Sequence, residues 1–143
     1  MKRVFLDTNI LMDAIEFRQH GAEANLLLDM SRANIIQTCA AVMSFSTLSY
    51  LLRHRTKEDI HQIFENLSDA IEILPIDDKQ FFESMAFGPV QDFEDMMQYQ
   101  CAKANGCDVI ITNNCKDYAE FCDLPFMTAA EFLREFTDWI IIL

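Results

Sequence analysis

Three separate stretches of the sequence place acidic or amide side chains directly beside apolar segments. Asp7 follows the apolar residues 4–6, Asp92 and Asp95 stand at the start of a predicted helix, and residues 112–117, TNNCKD, follow the segment DVII. A carboxylate at the end of a buried strand is poorly solvated unless a cation, a hydrogen-bond donor or an open cleft compensates its charge. The rest of the chain must supply that compensation.

Acids that converge in the fold need a positive partner. At a separation near 4 Å and an effective dielectric constant of about 20, each pair of carboxylates costs on the order of 4 kcal/mol, so a convergent set requires protonation or a cation. Oxygen ligands without a cluster of His or Cys favour Mg²⁺ or Mn²⁺ over zinc. Such an ion activates water and neutralises charge on phosphoryl oxygens, which makes hydrolysis of a nucleic-acid backbone the natural reaction.

The pattern of apolar runs predicts the elements that position these acids. Short apolar runs alternate with longer segments of helical period, and no Pro-, Gly- or Ser-rich linker divides them. We therefore expect a single domain over residues 1–143, with a three-layer α/β fold and a central parallel sheet of about five strands flanked by helices. Ligands bind such sheets at the carboxyl ends of the strands. The predicted strands are residues 4–6, 35–39, 71–75, 108–112 and 139–142.

One predicted helix carries both a core stripe and an acidic face. It runs from about Gln91 to Asn105 and is followed by Gly106, where a residue of left-handed conformation is expected. The helix dipole and capping explain Asp92, but they do not explain what Asp95 meets on the same face. The residues of the predicted core stripe are Phe93, Met96, Met97, Cys101 and Ala104.

Two further helix starts are marked by capping residues. Asp77 and Asp78 precede a helix that carries several apolar residues, among them Phe81. Residues 128–131, TAAE, form the pattern of a capping box. Both positions follow or precede a predicted strand at the spacing that an α/β fold requires.

The composition restricts the mode of nucleic-acid binding. With a net charge of −12, the surface as a whole repels a phosphate backbone, so any contact with RNA or DNA must be local. The one concentrated basic stretch, RHRTK at residues 53–57, is interpreted as a solvated helix end. The five cysteines form no CxxC pair, which predicts reduced thiols rather than a disulfide framework or a zinc site.

The sequence predicts a cytoplasmic protein. Asp7 interrupts the only early apolar run, so no N-terminal window has the basic flank, apolar centre and small-residue site of a secretory signal. The apolar run at residues 139–143 is far too short to cross a bilayer. We therefore expect no association with a membrane.

The order of these segments resembles that of a known family. VFLDTNILMD and DFEDMMQYQCAKANGCDVIITNNCKDY are similar to the opening strand and the helix-strand-loop signature of PIN-domain ribonucleases, which include the toxins of VapBC-like toxin-antitoxin pairs. LPFMTAAEFL resembles the family's closing strand and helix, so the resemblance covers nearly the whole chain. It implies that Asp7 and Asp95 bind metal, that Asp92 lies beside them, and that Thr8 and Asn9 shape the turn after the first strand.

Two positions depart from the pattern of that family. Where the family has a Glu in a segment resembling S-x-x-T-x-x-E, this chain has Tyr50. In the loop resembling T-x-D/N-x-x-D-F, Asn114 stands where many members have Asp, which leaves Asp117 as a candidate fourth carboxylate. Asp13 is a second candidate to replace the negative charge lost at these two positions, although its place in the sequence also suits an ordinary solvated helix face.

The first hypothesis is a metal-dependent endoribonuclease that uses Mg²⁺ or Mn²⁺. Asp7, Asp92, Asp95 and Asp117 form the expected metal site, and Asp117 or Asn114 orients water or a second ion. Asp7, Asp95, Asp117 and Asn114 are therefore the candidate catalytic residues. The residues expected to support the ligands by hydrogen bonds are Thr8, Asn9 and Thr112.

Two alternatives belong to other functional classes. A catalytically silent PIN-like module that binds RNA or a protein partner is suggested by Tyr50 and Asn114. A phosphatase or phosphotransferase with Asp7 as nucleophile fits less well, because Asn9 stands where such folds carry a second acid. The resemblance further implies RNA as substrate, a small antitoxin as partner and a homodimer, and the charge of −12 suits a basic partner.

Overall fold

Five parallel strands form the central sheet. The computed structural model describes residues 1–142, and their side chains as far as residue 137. The strands are β1 Arg3–Leu6, β2 Gln37–Ala41, β3 Ile71–Leu74, β4 Val109–Ile111 and β5 Phe126–Met127. The helices are α1 Thr8–Glu16, α2 Gly21–Arg32, α3 Val42–Leu51, α4 Lys57–Ala70, α5 Asp78–Phe87, α6 Phe93–Ala104, α7 Cys115–Tyr118 and α8 Ala129–Ile142.

The strand order reverses beside β1. The order in the sheet is β3-β2-β1-β4-β5. β2 and β3 lie on one side of β1, and β4 and β5 lie on the other side. All four pairings are parallel, with Leu6 of β1 aligned with Ile111 of β4. The carboxyl ends of β1 and β4 therefore meet at the point where an open sheet leaves a crevice for a ligand.

The two faces of the sheet carry separate apolar cores. In β1, Val4 and Leu6 face one layer and Phe5 faces the other, as the alternation of side chains along a strand requires. The first layer contains side chains from α1, α2, α3, α4 and α8, and the second contains side chains from α6 and α7. The predicted three-layer α/β fold with a five-stranded parallel sheet is confirmed.

Four of the predicted strands are present, and one is wrong. β2 begins two residues later than predicted, because Asn34 adopts a left-handed conformation and Ile35 remains exposed before the strand. The strand predicted over residues 139–142 does not form, because α8 extends to Ile142. The fifth strand is β5, which lies in the segment whose resemblance implied a closing strand.

The predicted helix starts are confirmed by their hydrogen bonds. Asp77 caps α5 in a capping box with Gln80. The Glu131 N–H donates to Thr128 Oγ1 at 3.2 Å, while the Glu131 carboxylate accepts from the Thr128 N–H at 3.1 Å. Gly106 follows α6 with a φ of 70°, as the sequence predicts.

The core stripe predicted for α6 is correct only in part. Met96 and Cys101 are fully buried, whereas Ala104 is exposed. The buried surface instead extends around the helix to Asp95 and Gln98. These polar side chains are enclosed because α6 packs on the sheet and also faces the helices that start at its carboxyl edge.

The connection between α3 and α4 contains the basic stretch at residues 53–57. Arg53 is exposed and stacks on the ring of Tyr50, with its guanidinium carbon 4.1 Å from the ring centre. Thr56 caps α4. Most of this stretch is exposed, as the sequence predicts, but the half-buried Arg55 guanidinium lies 3.9 Å from the Glu16 carboxylate. None of the helices within residues 1–142 has the length and apolar character needed to span a membrane.

Candidate metal centre

Asp7 lies at the carboxyl end of β1 and is almost completely buried. Its N–H donates to the carbonyl of Ile111 at 3.0 Å, which extends the pairing with β4 by one residue and brings Thr112 alongside. The Asp7 side chain is 3% exposed and caps α1. A buried carboxylate of this kind needs hydrogen-bond donors.

Three neighbouring groups donate hydrogen bonds to Asp7. The Thr8 N–H donates to Oδ1 at 2.7 Å, and the Thr112 hydroxyl donates to Oδ2 at 2.8 Å. The Asn9 side-chain amide donates to Oδ2 at 3.2 Å. All three supporting residues predicted from the sequence thus contact Asp7 directly, through the backbone in the case of Thr8.

Three other carboxylates converge at the start of α6. Asp92 caps this helix by accepting from the Asp95 N–H at 3.0 Å. One carboxylate oxygen from each of Asp92, Asp95 and Asp117 lies within 4.8 Å of the others. Asp95 is 4% exposed, and its Oδ2 has no hydrogen-bond partner. The structure therefore places a buried acceptor without a donor inside an acidic cluster.

Burial and mutual repulsion raise the pKa values of the buried acids. Burial raises the pKa of Asp7 from 3.8 to about 6, although the hydrogen bonds from Thr112 and Thr8 oppose this rise. Burial also raises the pKa of Asp95 to about 8, and the charges of Asp7, Asp92, Asp117 and Glu94 add to it. Asp7 does not belong to the group of three described above, yet its charge acts directly on Asp95.

The loop after β4 links Asp7 to Asp117. Thr112 donates to Asp7 and accepts from the Asn114 N–H at 2.9 Å. The Asn114 carbonyl then accepts from the Asp117 N–H at 2.9 Å, while the Asn114 side chain is exposed and makes no capping bond. The Thr112 hydroxyl therefore ties the loop that carries Asp117 to the end of β1.

Asp13 does not join the acidic cluster and is not on a solvated face. It is 5% exposed, and its Oδ2 accepts from the Asn113 side-chain amide at 2.7 Å. The Asn113 N–H donates to Asn9 Oδ1 at 3.2 Å. The interpretation of Asp13 as a solvated helix residue is wrong, because α1 directs it toward the loop after β4, where it holds Asn113.

A buried polar network that the sequence did not predict lies next to the acids. Gln98 donates from Nε2 to Thr8 Oγ1 and to Ser44 Oγ, both at 3.0 Å, and the two hydroxyl oxygens are 2.8 Å apart. Gln98 Oε1 has no hydrogen-bond partner. This network joins α1, α3 and α6 at the edge of the sheet where the acids lie. The only sequence signal was Gln98, three residues after Asp95 on the same helix face.

Tyr50 points away from the acids. Its side chain is 64% exposed and lies under the Arg53 guanidinium. The carboxylate that reaches α3 is instead that of Glu94, whose Oε1 is 3.5 Å from Thr47 Oγ1. The sequence reasoning missed Glu94, although the segment DFED places three acids within four residues.

Tyr118 adds a buried hydroxyl to the site. The residue is fully buried, and its hydroxyl lies near Asp7 and Asp95 without making a hydrogen bond of ordinary length. Burial, followed by the charges of these two acids, raises the pKa of Tyr118 well above its ordinary value.

Replacing Tyr118 with Phe is expected to stabilise the metal-free protein. A buried hydroxyl without a partner costs about 1–3 kcal/mol, so its removal should raise the free energy of unfolding by about 1 kcal/mol. Urea unfolding in the presence of EDTA measures this difference. Tyr50→Phe, which changes an exposed tyrosine, serves as control and should have almost no effect. A loss of stability in Tyr118→Phe would show that the hydroxyl has a partner in solution.

The residues at this edge fit a divalent cation. Every candidate ligand is an oxygen atom, and Asp95 Oδ2 has no donor of its own. No ion pair among the described residues includes Asp7, Asp92, Glu94, Asp95 or Asp117. The protein thus supplies several negative charges here and leaves them without a cationic side chain.

The fold and this edge together define a class of protein. An open parallel sheet that holds carboxylates at the point where its strand order reverses is an α/β protein with a candidate site for a divalent cation. The chain belongs to the PIN domain family, whose sequence profile matches residues 3–116. The identification made from the sequence is therefore confirmed.

Relatives and solved structures of similar fold come from several bacteria. Ribonuclease VapC1 of Aquifex aeolicus is 22% identical over 139 residues, which cover 92% of this chain and 93% of the relative. VapBC2 from Rickettsia felis, bound to a DNA fragment from their promoter, has a TM-score of 0.66 and 20% identity, over 87% of this chain and 96% of that one. VapC20 from Mycobacterium tuberculosis, a sarcin-ricin loop cleaving toxin, has a TM-score of 0.63 and 11% identity, over 83% and 95%.

Proposed function

We propose that this protein is a divalent-metal-dependent endoribonuclease that hydrolyses RNA phosphodiester bonds and serves as the toxin of a toxin-antitoxin pair. The observation that carries the proposal is the buried Asp95 carboxylate, which has an oxygen without a donor and lies in a cluster with Asp92 and Asp117. A relative named as a ribonuclease and a similar structure described as a toxin-antitoxin complex support it.

The proposal gives each residue of the site a distinct role. Asp95 shares a cluster with the oxygens of Asp92 and Asp117, and the charge of Asp7 acts on it, so these four acids would hold Mg²⁺ or Mn²⁺. Asn114 would orient the attacking water with its exposed side chain. Asn9 and Thr112 keep Asp7 in place through their hydrogen bonds, and Thr8 does so through its N–H.

Electrostatics explains why a cation is needed before RNA can bind. A protein of net charge −12 with an acidic cleft repels the phosphate backbone, and the same acids attract the cation that removes this repulsion. When bound, the ion would supply Lewis-acid stabilisation of charge on the phosphoryl oxygens. Burial opposes the ionisation of Asp7 and, more strongly, of Asp95, and a nearby positive charge favours the ionised form of both.

The proposed partners follow from charge and exposed apolar surface. An antitoxin with a basic segment would complement the negative charge of this chain. A homodimer is supported by α5, which exposes Phe82, Met85 and Phe87 by more than half of their surface. An RNA substrate and these partners make the cytoplasm the proposed location.

Tyr50 favours one alternative, a catalytically silent PIN-like module that binds RNA or a protein. Because the Tyr50 side chain is exposed and stacks on Arg53, it contributes no charge to the acidic cluster. A phosphotransferase with Asp7 as nucleophile is not favoured, because Asn9 stands where such folds carry a second acid and Asp7 itself is only 3% exposed.

Cleavage of RNA in the presence of Mn²⁺ tests the proposed function. The wild type is expected to cleave RNA with Mn²⁺ and to stop when EDTA is added, and Asp7→Asn should reduce the rate by about 100-fold or more. Asn caps a helix as well as Asp does, so the start of α1 should be preserved. Gel analysis of labelled RNA measures the rate.

Asp77→Asn is the matched control for this experiment. Asp77 also caps a helix, α5, but it is exposed and lies outside the acidic cluster, so its replacement should leave the rate unchanged. Equal and metal-independent rates in all three proteins would contradict the nuclease assignment. Absence of both Mn²⁺ binding and cleavage in the wild type would favour the silent module.

A further inference from the structure

Two helices face each other beside the acidic cluster. Ser44 and Thr47, one turn apart on α3, contact Gln98 and Glu94, one turn apart on α6. Ser44 precedes Thr47 on α3, whereas Gln98 follows Glu94 on α6, so the two helices run in opposite directions here. The face of α3 that carries Ser44 and Thr47 therefore meets the acidic start of α6. Tyr50 is the next residue at this spacing on α3, and its side chain turns outward onto Arg53.

Glu94 reaches across to this face without a cationic partner. Its only hydrogen bond among the described residues is with the Thr47 hydroxyl, at 3.5 Å. Thr47 lies one turn after Ser44, which contacts Thr8 beside Asp7, so the Glu94 side chain extends along the α3 face that borders the end of β1. An acid in the first turn of a helix is stabilised by the helix dipole, but this effect does not require a side chain that extends toward a second helix.

A second observation concerns buried polar atoms in the acidic cluster next to Glu94. Asp95 Oδ2 is buried and has no donor, and the fully buried Tyr118 hydroxyl nearby also has no partner. Buried polar atoms without partners are rare in folded proteins, and a bound ion is one of the features that account for them. Glu94 is exposed and immediately precedes Asp95 on α6.

We propose that Glu94 is a ligand of the metal in this site and provides from α6 the carboxylate that Tyr50 does not provide from α3. The inference rests on the proposed function, because it concerns the same ion. Glu94 would coordinate the ion directly or through one bound water, and Thr47 would fix the direction of its side chain. The presence of Tyr50 in place of the family's Glu would then not lower the number of carboxylates at the site.

Titration of the metal-free, full-length protein with Mn²⁺ at pH 8 tests this role. Glu94→Gln removes the charge, and Glu94→Asp keeps the charge but withdraws the carboxylate by one methylene. Both variants are expected to raise the Mn²⁺ dissociation constant by about 10- to 100-fold. Electron paramagnetic resonance of free Mn²⁺ measures binding without reference to RNA cleavage.

Glu58→Gln is the matched control, because Glu58 occupies the same position in the first turn of α4 as Glu94 does in α6. It should bind Mn²⁺ within about twofold of the wild type, as the helix dipole alone contributes little. If Glu94→Asp bound Mn²⁺ as tightly as the wild type and Glu94→Gln did not, only the negative charge of Glu94 would matter. This result would overturn its role as a ligand.

Wild-type affinity in both Glu94 variants would also overturn the inference, while the nuclease proposal would stand on the Mn²⁺ binding of the wild type. A wild type that does not bind Mn²⁺ would overturn the proposed function, and the role of Glu94 with it. Urea unfolding of each metal-free variant confirms that a change in affinity does not arise from unfolding.

Discussion

Replacing Asp95 with Asn is expected to abolish RNA cleavage and, at the same time, to stabilise the metal-free protein. Activity should fall by about 1000-fold, which corresponds to the loss of about 4 kcal/mol of transition-state stabilisation when a central ligand is removed. Stability should rise because burial and neighbouring charges raise the pKa of Asp95 from 3.8 to about 8, which makes its ionised form unfavourable in the folded state.

The expected gain in the free energy of unfolding is about 3 kcal/mol at pH 8. At about 1.4 kcal/mol per pKa unit, the rise in the pKa of Asp95 sets an upper limit of about 6 kcal/mol. Asn keeps a buried polar group in a site without partners for all its atoms, and this offsets about 1–3 kcal/mol of the gain. Urea unfolding in EDTA measures the stability, and cleavage of labelled RNA in Mn²⁺ measures the activity.

Asp59→Asn is the control for both measurements. Asp59 has the same place in α4 that Asp95 has in α6, and its N–H donates to the capping residue Thr56 in the same way, but it is exposed. Its replacement should leave activity unchanged and lower stability by a few tenths of a kcal/mol, because an acid there interacts favourably with the helix dipole. A loss of stability of the same size in Asp95→Asn would contradict the expected electrostatic strain.

The stability of the metal-free protein is expected to fall as the pH rises from 5.5 to 8. The pKa values of Asp7 and Asp95 are about 6 and about 8 in the folded protein, against 3.8 for the unfolded chain. Over this interval the folded protein binds more protons than the unfolded chain does, so each further rise in pH favours unfolding. The expected loss is about 3 kcal/mol, which corresponds to a fall in Tm of about 10 °C for a chain of this size.

Mn²⁺ should remove most of this pH dependence. The ion binds the deprotonated acids, so it stabilises the folded protein more at pH 8 than at pH 5.5 and releases about one proton when it binds at pH 7. Thermal unfolding with EDTA or with saturating Mn²⁺ gives the stability. Calorimetry in buffers of different ionisation enthalpy gives the number of protons released.

Variants assign the pH dependence to the site. Asp95→Asn should flatten the fall in stability between pH 5.5 and 8, because it removes the group with the larger rise in pKa. Asp59→Asn should retain the full pH dependence. A metal-free wild type whose stability is constant or rises over this interval would contradict the protonation of Asp7 and Asp95.

The fold was predictable because its strands are short apolar runs bounded by polar residues. Residues 4–6 and 109–111 are buried on both sides of the sheet, so they read as continuous apolar segments, and the acids that follow them mark the carboxyl edge. The error at residues 139–142 has the same origin. A short apolar run has no periodicity that separates a strand from the end of a helix.

The details of the site were less predictable, because they depend on which helix faces which. Gln98 and Ser44 are separated by 54 positions, and neither belongs to a local pattern that indicates their contact. Glu94 resembles an ordinary acid in the first turn of a helix until the position of α3 is known. Asp13 was misplaced for a similar reason, since its burial depends on the loop after β4.

The hydrogen bond between Thr112 and Asp7 spans 105 positions of the chain. During biosynthesis the ribosome has therefore made most of the protein before the loop that carries Thr112 and Asp117 exists. A growing chain that ends before this loop has Asp7, Asp92 and Asp95 but lacks the segment that anchors the first of them. The acidic site is thus incomplete for most of the time needed to synthesise residues 1–117, and a cation that needs both Asp7 and Asp117 has no finished site to bind until then.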